Sequence, residues 1–166
     1  MSKKVIYVLI VLVVIIAVAV AVYFLTTQNQ QENGGDNANN LTIDLQALNT
    51  TLSSQPPFNE MATMDITMDT LSSMYQITAD EVEAVIGKMP MMNVQASMYL
   101  VIQAKDGSVD SVKTKVDNYA TSYEQQWERY LPEQYELVKQ RKTGVKGNYI
   151  YLIISENAAN LEALIK

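Results

Sequence analysis

The chain opens with a long hydrophobic run between two polar segments. Val5 to Leu25 contains no charged residue, no Pro and no Gly, and Lys3 and Lys4 stand directly before it. As a helix with about 1.5 Å of rise per residue, the run is about 31 Å long, which matches the hydrocarbon core of a bilayer. The two Lys place the N-terminal side in the cytoplasm under the positive-inside rule. The pattern therefore predicts a cytoplasmic tail at residues 1–4 and a single transmembrane helix at residues 5–25.

A cleavable signal peptide is the alternative interpretation of the same run. Ala19 to Ala21 has the small-x-small form of a cleavage site, and residues 5–18 are long enough for the hydrophobic region before it. Residues 22–25 argue against cleavage because they continue the apolar run where a cleavage region is normally polar. We expect an anchored protein, or a secreted one if the chain is cleaved near Ala21.

A polar tract separates this run from the rest of the chain. Residues 26–40 read TTQNQQENGGDNANN and include no large apolar side chain. Such a segment cannot bury enough apolar surface to fold, so it is predicted to be a disordered linker. Residues 41–166 have the size and the apolar content of one domain, which the predicted orientation places outside the cell membrane.

Apolar residues at spacings of three and four predict four helices in this domain. The third is the longest, a stripe over six turns that Pro132 is expected to end. The expected N-caps are Thr42 or Asp44, Thr67, Ser108 and Asn157. The apolar positions, in chain order, are Leu41, Leu45, Leu48 and Leu52; Met68, Leu71, Met74 and Tyr75; Val109, Val112, Val116, Tyr119, Tyr123, Trp127 and Tyr130; and Leu161, Leu164 and Ile165.

Four further stretches predict strands. Residues 81–89 fit either a helix or a strand, and the β-branched content together with Gly87 favours a strand. Residues 96–104 alternate with period two, which predicts one face turned inward. A polar and basic stretch at residues 137–145 and an apolar one at residues 149–154 flank a turn signal and predict a hairpin. The fold class is therefore α+β, with a small antiparallel sheet of two hairpins and a long amphipathic helix packed on it.

The composition of the chain excludes several kinds of partner, cross-link and catalytic group. The chain carries 12 Lys and Arg against 18 Asp and Glu, and Lys3 and Lys4 are two of those cations. The acidic domain repels nucleic acid, so no such partner is expected. The absence of Cys and His excludes disulfides, a lipid-bearing cysteine, imidazole bases and the usual zinc sites. We expect a protein that is not an enzyme and that has no cofactor.

Three short motifs between Leu71 and Ile154 resemble a family of uncharacterised extracytoplasmic domains from Gram-positive, Clostridia-like bacteria, known only as a domain of unknown function. They are Met74-Tyr75-Gln76-Ile77, Tyr130-Leu131-Pro132-Glu133-Gln134 and Lys146-Gly147-Asn148-Tyr149. Members of that family are typically lipoproteins or membrane-anchored proteins, so the resemblance implies a surface location. It implies no activity, ligand or catalytic residue. This chain differs from the lipoprotein members in lacking the lipid-bearing Cys.

The methionines suggest one candidate site. Apart from Met1, all of them lie between Met61 and Met98. Thioether sulfur is a soft ligand that suits Cu(I), but Met also fills irregular gaps in hydrophobic cores. Because Met68 and Met74 fall on an apolar helix face and Met98 on the inward face of a strand, we expect core packing and no metal site.

Charged residues suggest two more candidate sites. The candidate interaction surface is a basic cluster that is suited to an anionic wall polymer, or that keeps an exposed edge strand from pairing with another chain. It consists of Lys139, Arg141, Lys142 and Lys146. Carboxylates are available for acid and base catalysis, but their spacing specifies no pair. They are Asp65, Asp69, Asp80, Glu81 and Glu83.

The sequence thus predicts a single-pass membrane protein with its N-terminus inside the cell. Residues 5–25 meet the lipid bilayer, and residues 41–166 bind an unidentified envelope protein or wall component outside. The alternatives are a carboxylate-dependent envelope hydrolase and a Met-based copper-binding protein.

Overall fold

Five antiparallel strands form the centre of the fold. The computed structural model describes residues 41–166. The strands are β1 Thr63–Asp65, β2 Val82–Pro90, β3 Met98–Ala104, β4 Lys142–Lys146 and β5 Tyr149–Ile154. They are ordered β1-β2-β3-β5-β4 across the sheet, and every neighbouring pair is antiparallel. The predicted α+β class is confirmed, and β1 is a strand that the sequence pattern did not indicate.

Helices pack on both faces of this sheet. They are α1 Leu45–Ser53, α2 Met68–Thr70, α3 Val109–Trp127, α4 Pro132–Lys139 and α5 Ala158–Glu162. A π-helical turn, Leu71–Tyr75, continues directly from α2. The long helix α3 packs on one face with α4 and the π-helical turn, and we call this the α3 face. Helices α1 and α5 pack on the other, which we call the α1/α5 face.

Strand β3 is buried on both of its sides. Met98, Leu100 and Ile102 pack toward the α3 face. Tyr99 and Val101, expected to point outward, are fully buried on the α1/α5 face. The prediction of a single inward face was wrong because α1 and α5, although distant in sequence, cover the second face. A strand buried on both faces is typical of the middle of a layered sheet.

The segment before the last hairpin differs from its prediction. Residues 132–139 are helix α4, so residues 137–139 are helical where the sequence suggested the beginning of a strand, and only Lys142–Lys146 pair in the sheet as β4. Pro132 occupies the first turn of α4, where its missing N–H costs nothing and its fixed φ suits a helix. Leu131 and Val138 then reach the same hydrophobic cluster from one side of the helix.

The long helix is shorter than its apolar stripe. Helix α3 ends at Trp127, and the N–H of Tyr130 donates to the carbonyl oxygen of Trp127 across 3.0 Å in the turn that follows. Tyr130 therefore lies outside the helix and is 54% exposed. Pro132 begins α4 and does not end α3, which corrects the prediction.

Several local predictions are confirmed. Residues 82–90 form a strand, which settles the ambiguous stretch. The Asp44 carboxylate accepts the N–H of Ala47 across 3.0 Å as the N-cap of α1. Gly147 takes φ 61° in the turn between β4 and β5, a conformation that glycine adopts without steric cost.

The first forty residues fall outside the described part of the chain. The predicted cytoplasmic tail, transmembrane helix at 5–25, cleavage site near Ala21 and linker at 26–40 all lie there. Within residues 41–166, no helix combines the length and the hydropathy that crossing a bilayer requires.

Candidate functional site

A row of five aromatic side chains follows one side of α3. The row begins at Tyr75 on the π-helical turn and continues through residues spaced by three or four, which share one helix side. We call it the aromatic row, and it consists of Tyr75, Tyr119, Tyr123, Trp127 and Tyr130. Successive ring centroids are separated by 3.9, 5.6, 5.9 and 5.7 Å. Tyrosine and tryptophan build this row, and each carries a polar tip that a leucine stripe would lack.

A cavity of about 500 Å³ opens beside the last part of this row. One wall is the end of β2 and the loop after it, with Met89, Met91 and Met92; Met74 joins them from the π-helical turn. We call the cavity the methionine groove. Its volume falls within the range of roughly 300–1,000 Å³ that is typical of small-molecule and cofactor sites.

Three of these methionines are far more exposed than core residues are. Met74 is 43% exposed, Met91 66% and Met92 51%, whereas Met98 is fully buried. Core packing was therefore the correct interpretation of Met98 but the wrong one for Met74, which lies at the groove. A flexible, polarisable side chain at a surface groove is typical of a binding surface that adapts to its ligand.

Three polar atoms in the groove lining have no hydrogen-bond partner among the described residues. They are the hydroxyl of Tyr119, Nε1 of Trp127, a residue that is only 4% exposed, and Oε1 of Gln95. Leaving a buried donor or acceptor unpaired costs about 1–3 kcal/mol. The Trp127 atom is a donor and the Gln95 atom is an acceptor, so a ligand group that carries both an acceptor and a donor would satisfy these two atoms.

The groove is uncharged at neutral pH. None of the described residues that line it is charged by type apart from the ionisable tyrosines. Burial raises the pKa of Tyr119 and of Tyr123 above the ordinary value of a phenol, so both stay protonated. The pKa of Tyr75 is raised well above that value, first by burial and then by the neighbouring Tyr119. The groove therefore holds neither an acid and base pair nor a charge that would attract an ionic ligand.

The four basic residues of the candidate interaction surface differ in their bonding partners and exposure. Arg141 donates to Oε2 of Glu124 at 2.5 Å, and Lys139 pairs with Glu136 on α4 at 3.0 Å. Lys142 lies exposed at the start of β4. Lys146, at the far end of that strand, donates to the carbonyl oxygen of Ile165 at 2.6 Å, so it stabilises the end of the chain.

Among the five candidate carboxylates, only Glu81 is largely shielded from solvent. The Glu81 carboxylate accepts bonds from Lys115 at 2.6 Å, Ser111 at 2.7 Å and the N–H of Thr78 at 2.9 Å. The bond from Lys115, together with those from Thr78 and Ser111, lowers the pKa of Glu81 to about 2. The other four candidate carboxylates are exposed: Asp65, Asp69, Asp80 and Glu83. Asp65 pairs with Lys88 at 2.7 Å across β1 and β2.

The three sequence motifs have distinct positions. Tyr75 and Tyr130 stand at the two ends of the aromatic row, and Pro132 opens α4. Lys146, Gly147, Asn148 and Tyr149 form the last hairpin turn and the start of β5. The Asn148 amide donates to the carbonyl oxygen of Ala104 at 3.3 Å, which fixes the turn to the end of β3.

These features define a small α+β domain with a ligand-sized groove built from Met and aromatic residues. The family described as a Domain of unknown function (DUF4358) matches residues 58–155, more than half of the chain, so the chain belongs to this family. The groove lies wholly within the matched region. No curated protein and no solved structure matches the chain significantly.

The sequence pattern did not identify the groove. The aromatic row was assigned to the buried stripe of a helix, and Gln95 and Gln126 received no role. The available signal was the composition of that stripe, because its last half contains only Tyr and Trp as large apolar residues. The Met-Pro-Met-Met sequence at residues 89–92 was the other signal, since it places flexible apolar side chains on a loop.

Proposed function

We propose that this chain is a membrane-tethered binding module that holds an uncharged, apolar peptide segment of a cell-envelope protein in the methionine groove. The observation that carries the proposal is the groove itself, a cavity of about 500 Å³ with exposed Met on one wall and the aromatic row on the other. Desolvating an apolar segment there contributes about 25 cal/mol for each Å² of apolar surface that is buried.

A peptide suits this groove better than a simple hydrocarbon. Each peptide unit carries one N–H donor and one C=O acceptor, and the groove has an unpaired acceptor in Gln95 and an unpaired donor in Trp127. A hydrocarbon chain would leave both atoms unpaired. Met side chains, with three rotatable bonds, can move to admit such a segment.

The location outside the membrane is supported by the sequence alone. The hydrophobic run Val5 to Leu25 and the preceding Lys3 and Lys4 favour a single-pass anchor with the domain outside. The resemblance to surface-attached proteins of Gram-positive bacteria favours the same arrangement. Membership of the DUF4358 family is compatible with this location and assigns no activity.

A carboxylate-dependent hydrolase is the weaker alternative. A glycosidase needs two carboxyl groups about 5–10 Å apart, one of them with a raised pKa. Glu81 has the opposite shift, and its hydrogen bonds to Thr78, Ser111 and Lys115 already occupy it. The other candidate carboxylates face solvent, so we expect no hydrolase activity.

Trp127 provides a direct test because it is the only Trp in the chain and it lines the groove. The full chain in proteoliposomes is titrated with the blocked peptide acetyl-Leu-Ala-Leu-Ala-Leu-amide while Trp127 emission is recorded. We expect a saturable change in the emission intensity of Trp127, with a Kd of about 10–100 µM for so short a segment. The matched peptide acetyl-Glu-Ala-Glu-Ala-Glu-amide should produce no saturable change.

Substitutions locate the binding. Replacing both Met91 and Met92 by Ser should weaken binding of the Leu peptide at least about tenfold, or 1.4 kcal/mol. Met64 is 48% exposed and pairs with Met89 across β1 and β2 but does not itself line the groove, so Met64→Ser is a neighbouring control and should bind like the unaltered chain. Equal responses to the two peptides, or equal losses in both variants, would refute the proposal.

A further inference from the structure

Four methionines from separate segments of the fold line one cavity. Met89 comes from β2, Met91 and Met92 from the loop after it, and Met74 from the π-helical turn beside α3. Two of them, Met91 and Met92, are at least half exposed, so their thioethers are not committed to core packing. The fold thereby gathers sulfur ligands that are up to eighteen positions apart in the sequence.

The remaining lining restricts which metal ions would bind. Thioether sulfur is neutral and soft, and it selects Cu(I) over hard divalent ions that need carboxylate or imidazole ligands. The lining has no acidic residue among those described, and the chain contains no Cys or His that would compete for the ion. In residues 41–166, no group of three or more acidic residues is arranged to hold a metal.

The aromatic side of the groove suits a cation of low charge. The Trp127 ring lines the same cavity as the methionines, and Tyr123 packs against it with ring centroids 5.9 Å apart. A cation within about 6 Å of an indole face is attracted by the negative face of the ring, and Trp is the best of the aromatic residues for this contact. Neutral ligands leave the full charge of the ion available for that contact.

We infer that the methionine groove is a binding site for a soft monovalent metal ion, Cu(I) or its surrogate Ag(I), with Met74, Met89, Met91 and Met92 as the available thioether ligands and Trp127 beside the ion. This inference goes beyond the proposed function, because coordination by sulfur differs in kind from hydrophobic contact with a peptide. The two ligands share the groove, so each should displace the other.

Replacing Met by Leu separates the two kinds of binding. Leu keeps the apolar volume of Met and removes the sulfur, so hydrophobic contact survives and metal coordination does not. The test variant is Met91→Leu with Met92→Leu, on an exposed loop where the change does not threaten the fold. Met64→Leu is the matched control because Met64 is an exposed Met outside the groove.

The experiment uses the full chain in proteoliposomes, without oxygen and with ascorbate present. Cu(I) is delivered as its weak acetonitrile complex, and binding to the protein is followed by quenching of Trp127. We expect one equivalent to bind with a Kd below about 1 µM and the double Leu variant to bind at least about tenfold more weakly. Ag(I) should give the same result without redox chemistry.

The outcomes for metal and peptide are independent. Tight Cu(I) binding that the double Leu variant loses, while Met64→Leu and the Leu-peptide affinity are unchanged within about twofold, supports the inference. Binding weaker than about 1 µM, or equal binding by the double Leu variant, overturns it and leaves the peptide proposal intact. If the peptide fails to bind while Cu(I) binds as stated, the proposed function falls and the metal site stands.

Discussion

The two faces of the sheet differ in how their buried polar groups are bonded. On the α1/α5 face, the Tyr149 hydroxyl accepts the N–H of Ile43 at 3.0 Å and the Tyr99 hydroxyl donates to Oδ1 of Asn49 at 2.7 Å. The Tyr151 hydroxyl donates to the Glu162 carboxylate. Each buried tyrosine there ties the sheet to a segment that packs on it, so this face is closed by polar bonds as well as by apolar contacts.

On the α3 face, the Tyr123 hydroxyl reaches the carbonyl oxygen of Ala96 at 3.5 Å, but other buried aromatic residues there have no such bond. The Tyr75 hydroxyl and Trp127 Nε1 have no hydrogen-bond partner among the described residues, although the two residues are only 3% and 4% exposed. Since an unpaired buried polar atom lowers stability, its presence next to a cavity indicates a surface suited to a ligand. Both faces hold a hydrophobic core, and the unpaired polar atoms of the described residues lie on the α3 face, which agrees with the binding that we propose there.

The largest predicted effect is a difference in stability between two variants, each with one apolar residue replaced on a different face of the sheet. Leu52 is fully buried under the α1/α5 face, and Leu52→Ala should lower the free energy of unfolding by about 2–5 kcal/mol. Met91→Ala, at the exposed groove wall, should change it by no more than about 0.5 kcal/mol. Urea unfolding of the full chain in proteoliposomes, followed by far-ultraviolet circular dichroism, measures both. A cost at Met91 that approaches the cost at Leu52 would show that the groove wall is part of the core.

Two Tyr→Phe substitutions test the polar side of the comparison. Tyr149→Phe leaves the N–H of Ile43 without its acceptor and should lower the free energy of unfolding by about 1–3 kcal/mol. Tyr75→Phe removes a hydroxyl that has no partner, so the free energy of unfolding should stay unchanged or rise slightly. The same urea titration applies, and each variant is the other's matched control. Equal losses would mean that the Tyr75 hydroxyl is bonded after all, and the contrast between the faces would fail.

The Glu81 carboxylate gives a smaller effect that depends on pH. It joins the start of β2 to the first turns of α3, at the opposite end of that helix from Trp127. Its pKa in the folded protein is about 2, below the ordinary 4.5, so its contribution is fully present above pH 4.5 and is lost as the pH falls toward 2. Glu81→Gln removes the charge-assisted bond to Lys115 and should lower the free energy of unfolding by about 1–2 kcal/mol at neutral pH. The cost is no larger because this bond is partly exposed to solvent.

The comparison variant for this effect is Glu83→Gln, since Glu83 is exposed on the same strand. Unfolding free energies are measured from pH 7 down to pH 3. The loss of stability on acidification should be shallower in Glu81→Gln than in the unaltered chain and in Glu83→Gln. Parallel curves for all three proteins would place the acid-sensitive group elsewhere.

Local patterns were sufficient to predict most of the elements but not how they cover the sheet. Period-two alternation located β3, and the stripe through Val112 and Val116 located α3, because both signals arise from neighbours in the sequence. The burial of Tyr99 depends on α1, and that of Tyr151 on α5. No local period records a contact between segments so far apart along the chain.

The candidate site was harder to predict than the fold for a related physical reason. Met and Tyr fit both a core and a groove, so their positions alone do not distinguish the two. Met98 and Met91 have the same side chain, but the first lies on a central strand and the second on a loop at its edge. The partners of the basic residues were also beyond local patterns, since Arg141 and Lys146 bond to other parts of the chain that lie beside them only in the folded state.

The smallest expected effect concerns the basic cluster, whose residues belong to neither of the two hydrophobic clusters. Lys139→Glu together with Lys142→Glu should change the free energy of unfolding by no more than about 0.5 kcal/mol, because the Lys139 pair with Glu136 is exposed to solvent. Binding of the Leu peptide should also stay within about twofold, since neither residue lines the groove.

Retention on purified cell walls at low salt measures the electrostatic alternative, with Met91→Ser as the groove control. If charge reversal abolished retention while Met91→Ser preserved it, the wall-binding surface would be β4 and its flanks, and the α3 face would lose its place as the main binding surface.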